Sequence, residues 1–376
     1  MIAEFSVENF FSIKSPQKIS FEPSSDTFMS DEYSCEVKDG VRLLKVGIIY
    51  GANASGKTNI LNAIEFFRML VLRMPKDRNE KTRVVPFMLD DTSRNEMTKM
   101  SMSFYINQSK FILTFELNAK YIYSETLIVY DSIRPTKLYS RSYDAETDST
   151  AIDFGGNLKL TKKSQDVISG NTINNCSVLA AFGKSNVERT RLNDVYDYFA
   201  NQVKDVLAPG MLLSGYVKSR LDKDENGDLK KFILNFLKAS DFNIEDVVLH
   251  EEEELITPEL EQLIQNAPIG NEAKAEMLRK GKITNTELTF KHKAGDGLYD
   301  LSEEYESNGT MRFMGLAVIL NFLLKTNRFV PIDEVETSIH YELLAYFLKV
   351  FLANSEGTSQ MLLTTHDINL LNEDFI

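Results

Sequence analysis

The sequence predicts an α/β fold, and three local patterns carry this prediction. The run LLKVGIIY at residues 43–50 is apolar over the length of a strand, which is typical of a buried parallel strand. A glycine-rich loop at 51–58 follows, and the apolar residues after it recur at helical spacing as far as Val71. Residues 84–160 instead alternate between polar and apolar types, which predicts an antiparallel sheet added to the parallel one.

Along the chain, we expect three parts. Residues 1–185 form an N-terminal lobe that contains the glycine loop and the antiparallel sheet. Residues 186–285 form a helical insertion, because DLKKFILNFLKASDF and TPELEQLIQNA both have helical patterns. Its acidic run at 251–254 is predicted to be a solvated edge. Residues 286–376 form a C-terminal lobe with a long apolar helix, a strand that ends in PIDE, a second helix and a last strand, QMLLTTH.

Composition and charge exclude several classes of protein. The 376-residue chain has a formal net charge of −13 and two distant cysteines, Cys35 and Cys176, so we predict neither a disulfide framework nor a zinc site. The N-terminus lacks the basic start and apolar stretch of a secretory signal, and no segment reaches membrane-spanning length. We expect a cytoplasmic protein without a membrane partner. The acidic balance leaves nucleic-acid binding possible only through a local basic stripe.

The glycine loop matches the phosphate-loop pattern G-x-x-x-x-G-K-[ST] in full, between a predicted strand and a predicted helix. Small residues let backbone N–H groups turn toward an anion, Lys57 reaches the terminal phosphates, and the Thr58 hydroxyl is a ligand for Mg²⁺. An ordinary turn would not require both side chains at these positions. The predicted nucleotide-binding residues here are Gly51, Asn53, Ala54, Ser55, Gly56, Lys57, Thr58 and Asn59.

The acidic pair Asp333-Glu334 closes an apolar stretch near the C-terminus. Asp333 is a candidate Mg²⁺ ligand, and Glu334 is placed to orient or deprotonate an attacking water. The alternative is that both residues merely cap a strand end. Pro331 is awkward here, because proline removes a hydrogen-bond donor from what should be a central strand.

A second candidate anion site lies at the start of the long apolar helix, in the segment ESNGTMR. Ser307 and Gly309 would present a hydroxyl and an N–H at the helix N-terminus, although Ser307 by itself also suits a simple N-cap. His366 closes the next strand after the acidic pair. The chain has no N-K-x-D segment, which disfavours a GTPase.

These pieces resemble the AAA family ATPases with ABC-type heads, which are related to the SMC, RecF and OLD proteins and common in bacterial abortive-infection and phage-defence loci. The matching segments are VENFFSIKS, YGANASGKTNILNAI, PFMLDD, FLKASDFNIEDV, ESNGTMR, IDEVETSIH and LLTTHDINLL. The resemblance covers nearly the whole chain. Two departures are Phe11, which stands where the family often has a basic residue, and the lack of an assignable glutamine for the metal-sensing loop.

The resemblance implies an α/β fold of the ABC-type P-loop ATPase head, with an added antiparallel sheet and a helical insertion. It implies that the protein binds and hydrolyses ATP with Mg²⁺. Two heads of a homodimer or higher homo-oligomer would close around the nucleotide, with Ser307 acting across the dimer and His366 sensing the γ-phosphate within its own subunit. Glu334, His366 and Ser307 are then the catalytic candidates.

The function that the resemblance implies is an ATP-driven switch, the ATPase or sensor subunit of a phage-defence system that controls a separate effector such as a nuclease or toxin. One alternative is a DNA-repair or recombination ATPase of the SMC or RecF type. Another is a scaffold that binds ATP without hydrolysing it, which Glu334 disfavours because a scaffold needs no residue to activate water.

Overall fold

The structure is a computed structural model that describes residues 1–25, 29–267 and 270–372. The predicted C-terminal lobe, 286–376, therefore ends with four residues, 373–376, outside the described part of the chain. None of the helices within the described ranges is long and apolar enough to span a membrane. The chain divides into two compact units, Met1–Met211 with Leu323–Thr337 and Leu348–Ile376, and Leu212–Phe322 with Ser338–Phe347.

The strands of the described residues are, in chain order, β1 (Ile2–Glu8), β2 (Gln17–Ser20), β3 (Ser34–Lys38), β4 (Val41–Leu44), β5 (Val46–Tyr50), β6 (Thr98–Ile106), β7 (Ser109–Leu117), β8 (Ile122–Tyr130), β9 (Thr136–Asp144), β10 (Ser149–Phe154), β11 (Ile244–Leu255), β12 (Lys282–Ala294), β13 (Gly297–Ser302), β14 (Phe329–Ile332) and β15 (Gln360–Thr365).

The α-helices of the described residues are α1 (Ser30–Tyr33), α2 (Lys57–Leu72), α3 (Lys162–Asn171), α4 (Val178–Gly183), α5 (Arg191–Asp197), α6 (Ser214–Leu221), α7 (Asp228–Lys238), α8 (Pro258–Asn266), α9 (Asn271–Lys280), α10 (Asn308–Leu324) and α11 (Tyr341–Asn354). The predicted α/β class is confirmed.

The first unit contains the predicted antiparallel sheet, in the strand order β10-β9-β8-β7-β6-β1-β2. Every neighbouring pair is antiparallel. Alternate residues of β7 and β8 are buried, as the sequence pattern predicts, and they share one core with the buried face of α2. Phe67 of α2 lies in edge-to-face contact with Phe5 and Phe115, at ring-centroid distances of 5.9 Å and 5.1 Å. This packing fixes α2 against the sheet.

A second, parallel sheet in the same unit has the order β14-β15-β5. It brings the ends of three strands distant in sequence to one edge, where the phosphate loop and the acidic pair both begin. The sequence predicts that β5 is fully buried, but Val46 to Ile49 are half-buried and Tyr50 is 44% exposed. The reason is that β5 lies at an edge of this described sheet.

Pro331 fits the sheet because its nitrogen faces the segment 203–207 and not the neighbouring strand β15. Residues 329, 331 and 333 of this strand region bond to the irregular segment 203–207, with Lys204 N–H donating to Phe329 O and Leu207 N–H to Pro331 O, both at 2.9 Å. A residue's N and C=O lie on the same side of a strand, so the donor that proline lacks would point away from β15. The ladder to β15 is therefore unaffected.

The predicted helical insertion at 186–285 needs two corrections. Residues 186–211 belong to the first unit, because Leu192, Val195 and Phe199 are buried in the same core as Phe67. The stretch Ile244–Leu255 is a strand, β11, which pairs with β12 in a three-stranded antiparallel sheet of the second unit. This pairing joins segments distant in sequence, which local periodicity does not report. The acidic run at 251–254 lies on the edge strand β11 and is exposed, as predicted.

Candidate functional site

The phosphate loop leads directly from β5 into α2, and its backbone requires small residues. Gly56, the residue before α2, has φ +95°, a conformation that L side chains rarely adopt. A side chain at Gly51 would place its Cβ 2.9 Å from Ser55 Oγ. Ala54 also has a positive φ, +60°. The loop therefore curls around the N-terminus of a 16-residue helix, where unpaired N–H groups and the helix dipole favour an anion.

Lys57 is oriented by the loop that precedes it. Lys57 is 8% exposed, and its ammonium donates to Gly51 O at 2.6 Å and to Ala52 O at 3.0 Å. An ammonium has three N–H donors, so one remains for a phosphate oxygen.

The two candidate magnesium ligands meet directly. Thr58 Oγ1 donates to Asp333, at 2.9 Å from Oδ2 and 3.2 Å from Oδ1. Asp333 is 3% exposed and accepts a second hydrogen bond, from Thr364 Oγ1 to Oδ1 at 2.5 Å. A hydroxyl and a carboxylate are oxygen donors of the kind Mg²⁺ prefers, and this ion commonly takes few protein ligands beside substrate phosphates. The residues present therefore fit the metal.

Thr364 also fixes Glu334. Its Oγ1 accepts the Glu334 N–H at 2.8 Å, while the Glu334 carbonyl accepts the Thr337 N–H at 2.9 Å. Glu334 has φ +43°, which is uncommon for a non-glycine residue and is often found where local strain serves a function. The half-buried Glu334 side chain lines the cavity above the phosphate loop.

This cavity has a volume of about 510 Å³ and brings together most of the predicted site. It is lined by Ser12, Asn53, Ala54, Ser55, Gly56, Lys57, Thr58, Asn59, Glu334 and His366. All of these residues belong to the first unit. The residues of the acidic pair and the strand-end histidine therefore reach the phosphate loop through the parallel sheet.

Sequence reasoning missed Ser12 and Thr364. Ser12 Oγ accepts from Asn59 Nδ2 at 2.7 Å, and a Cβ at Gly56 would lie 3.1 Å from it. Ser12 follows Phe11, which stands where the family often has a basic residue. The segment VENFFSIKS therefore reaches the phosphate loop through the Ser12 hydroxyl. Thr364 gave no signal, because its role depends on the alignment of β15 beside the end of β14.

Ser307 and Gly309 belong to the second unit. Ser307 precedes α10 and caps it, because its Oγ accepts the Thr310 N–H at 3.0 Å. The Ser307 side chain is exposed. A Cβ at Gly309 would lie 2.9 Å from the backbone oxygen of Ser338, so a side chain does not fit there. The N-cap alternative is thus present in the structure, on a serine that remains accessible.

Comparison with known proteins gives one family match. The family model described as "AAA domain, putative AbiEii toxin, Type IV TA system" matches residues 48–372. No curated protein matches the chain.

Two solved structures resemble the chain over 99% of its length and 91% of theirs. One is the SMC head domain from Thermotoga maritima, with 13% sequence identity and a TM-score of 0.42. The other is an SMC head bound to the C-terminal winged-helix domain of ScpA, with 11% identity and a TM-score of 0.43.

The matched residues include the phosphate loop, the acidic pair and His366, and they make up well over half of the chain. The chain therefore belongs to the family of AAA domains described as putative AbiEii toxin of type IV toxin–antitoxin systems.

Proposed function

We propose that this protein binds Mg–ATP and hydrolyses it. The observation that carries the proposal is the contact between Thr58 of the phosphate loop and the buried Asp333, which lie 275 positions apart in sequence. A phosphate loop alone accounts for phosphate binding. The additional carboxylate at its hydroxyl is the arrangement that holds a magnesium ion beside the terminal phosphates.

The chain's own residues supply each part of the binding site. The loop amides and the α2 N-terminus receive the phosphates, the remaining Lys57 N–H donates to a phosphate oxygen, and the ammonium charge offsets part of the phosphate charge. Thr58 and Asp333 would hold Mg²⁺, which when bound neutralises charge that develops on the phosphate oxygens. Asn59 and Ser12, bonded to each other at the cavity wall, limit where the rest of the nucleotide lies.

Glu334 is the proposed general base. Its carboxylate takes a proton from water as the oxygen of that water attacks the γ-phosphorus, and the bond to the β-phosphate oxygen breaks. Thr364 holds the backbone of Glu334 next to Asp333, so the base and the metal ligand move together. A scaffold that only binds ATP would gain nothing from this second carboxylate.

The proposed functional form is a homodimer or higher oligomer. In this proposal Ser307 and Gly309 bind the γ-phosphate held by a neighbouring subunit, while His366 contacts the one held by its own. The exposure of Ser307 and the presence of His366 in the phosphate-loop cavity support this division. Closure of the heads would then depend on ATP, and opening on hydrolysis.

The biological role that we propose is that of the ATPase subunit of a phage-defence system with a separate effector. The family description, which names a putative AbiEii toxin and a type IV TA system, supports this role. Co-purification of the product of a neighbouring nuclease-like gene in the presence of ATP would test it. Association with recombination proteins instead would favour the repair alternative.

The decisive test of hydrolysis is the change Glu334→Gln. An amide keeps the shape of the side chain but does not accept a proton from water, so turnover should fall by about 10² to 10⁴, or ~3 to 5 kcal/mol of barrier. Mg–ATP binding should be retained. Steady-state phosphate release and equilibrium nucleotide binding measure the two effects, and light scattering should show a lasting ATP-dependent dimer.

Lys57→Ala is the matched control, because it should lose ATP binding while the fold remains intact. Parental turnover in Glu334→Gln would show that the base lies elsewhere. Tight ATP binding by folded Lys57→Ala would contradict the assignment of the phosphate site. A parent protein that binds ATP but never hydrolyses it would support the scaffold alternative.

A further inference from the structure

A carboxylate that the proposed hydrolysis does not use lies against His366. Glu336 follows the acidic pair by two residues, and its side chain is 9% exposed. Its Oε1 accepts a hydrogen bond from the His366 backbone N–H at 2.8 Å, and the same oxygen lies 2.8 Å from ring Nδ1. A single carboxylate oxygen therefore contacts both the main chain and the ring of the residue that follows β15.

This contact determines which ring nitrogen is available. A carboxylate only accepts hydrogen bonds, so at a distance of 2.8 Å it favours the tautomer that carries its proton on Nδ1. Nε2 is then the nitrogen left for another partner. The His366 side chain is 47% exposed and lines the phosphate-loop cavity, where the γ-phosphate would lie.

The position of the Glu336 carboxylate has a cost in stability. Its second oxygen, Oε2, is buried and has no hydrogen-bond partner among the described residues. A buried carboxylate oxygen without a partner costs free energy, and such a group in a folded protein calls for an explanation other than stability. A requirement for orienting His366 supplies that explanation.

We propose that Glu336 is a positioning residue, which holds the His366 ring in the rotamer and tautomer that direct Nε2 toward the γ-phosphate. The proposal rests on the proposed function, because it assumes that His366 faces a bound nucleotide. Glu336 acts only through His366 and touches neither the phosphate nor the water.

A double-mutant cycle tests this proposal. Glu336→Ala should lower kcat for ATP by about 10- to 100-fold, the usual effect of losing a residue that orients another functional group. KM should change little, because Lys57 and the loop amides still hold the nucleotide. The same change made in a His366→Ala background should have no further effect on kcat.

Several outcomes would contradict it. If the two changes multiply, Glu336 acts independently of His366, and its role is structural or lies elsewhere. If Glu336→Ala leaves kcat unchanged, positioning is not needed. The matched control is Glu342→Gln, which removes an exposed carboxylate 3.7 Å from His340 Nδ1 and should leave kcat unaltered. Thermal unfolding identifies any variant that loses activity by failing to fold.

A second measurement does not depend on hydrolysis. In protein labelled with ¹⁵N-histidine, at about pH 8.5, where an ordinary imidazole is neutral, the His366 signal should show a proton on Nδ1. The signal is assigned among the four histidines with His366→Gln. Glu336→Ala should shift this signal to a mixture of tautomers. An unchanged signal would overturn the positioning inference even in an active enzyme, whereas a shifted signal in an inactive parent would leave it standing and contradict only the proposed hydrolysis.

Discussion

Asp333 depends on two hydroxyl groups for its position, one from the phosphate loop and one from β15. Thr58 contacts it from the loop, and Thr364, which is fully buried, contacts it from the strand while also binding the Glu334 N–H. One hydroxyl therefore holds both members of the acidic pair. Removing it would leave the partly buried N–H of Glu334 without its acceptor and Asp333 without one of its donors.

We expect Thr364→Val to impair hydrolysis more than nucleotide binding. Valine has nearly the same shape, so β15 should still form, but the loss of the hydroxyl should destabilise the fold by about 1 to 3 kcal/mol. Turnover should fall because Glu334 is no longer held at its positive φ. Phosphate release, ATP binding and denaturant unfolding measure the three effects.

Thr364→Ser is the control, since it keeps the hydroxyl and should restore most of the turnover. Full activity in Thr364→Val would show that the acidic pair is held in place by the strand backbone alone.

Strands β8 and β9 contain a buried polar cluster, defined here as Glu125, Tyr139 and Arg141. Tyr139 Oη donates to Glu125 Oε1 at 2.6 Å, and the Val178 N–H at the start of α4 donates to Oε2 at 2.8 Å. Arg141, the cross-strand neighbour of Glu125, bonds to the carbonyls of Ile122 and Asn174. Burial raises the pKa of Glu125 and lowers that of Arg141. The cluster thus ties α4 to the sheet at a cost in desolvation.

We expect Glu125→Ala to destabilise the protein by about 3 to 5 kcal/mol, because it leaves the buried Arg141 charge without its counter-charge and Tyr139 without an acceptor. Denaturant unfolding measures this free energy. Asp153→Ala on β10 is the matched control: it breaks an exposed pair with Lys137 and should change the free energy of unfolding by less than about 1 kcal/mol. Equal effects from the two changes would show that burial of the cluster contributes nothing.

Elements differ in how well local sequence predicts them. The α2 helix and strands β6 to β9 have periodic apolar residues, and the structure confirms them because one face of each packs on the same core. Strand β11 was missed, because its second half is a run of glutamates without alternation. Only pairing with β12 makes that segment extended.

The residues that line the phosphate-loop cavity belong to the first unit, and Ser307 at the start of α10 belongs to the second. In the proposed dimer each complete site combines the first set from one subunit with the second from its neighbour. This arrangement has a consequence for mixtures of variants that no single-subunit site would share.

A mixture of Ser307→Arg and Lys57→Ala chains should recover ATPase activity that neither variant has alone. In a mixed dimer, one site pairs the intact loop of the Ser307→Arg chain with the intact Ser307 of the other chain. If variants exchange freely, about half of the dimers contain one such site, and one quarter of the parent's turnover is the expected upper bound when sites act independently. Phosphate release as a function of mixing ratio measures the recovery, and its absence in demonstrably mixed dimers would contradict action across the dimer.

The sequence by itself determined the α/β class, the phosphate loop with Lys57 and Thr58, and the identity of Asp333, Glu334 and His366 as candidates. These signals are local: a motif of eight residues, a period of two or 3.6, or an acidic pair at a strand end. The tertiary structure alone decided that Thr364 joins the acidic pair, that Ser12 reaches Asn59, that Glu336 contacts His366, and that the nitrogen of Pro331 faces away from β15. Each of these depends on a contact between segments far apart in the chain, whose alignment is set by strand pairing and core packing rather than by the residues next to them.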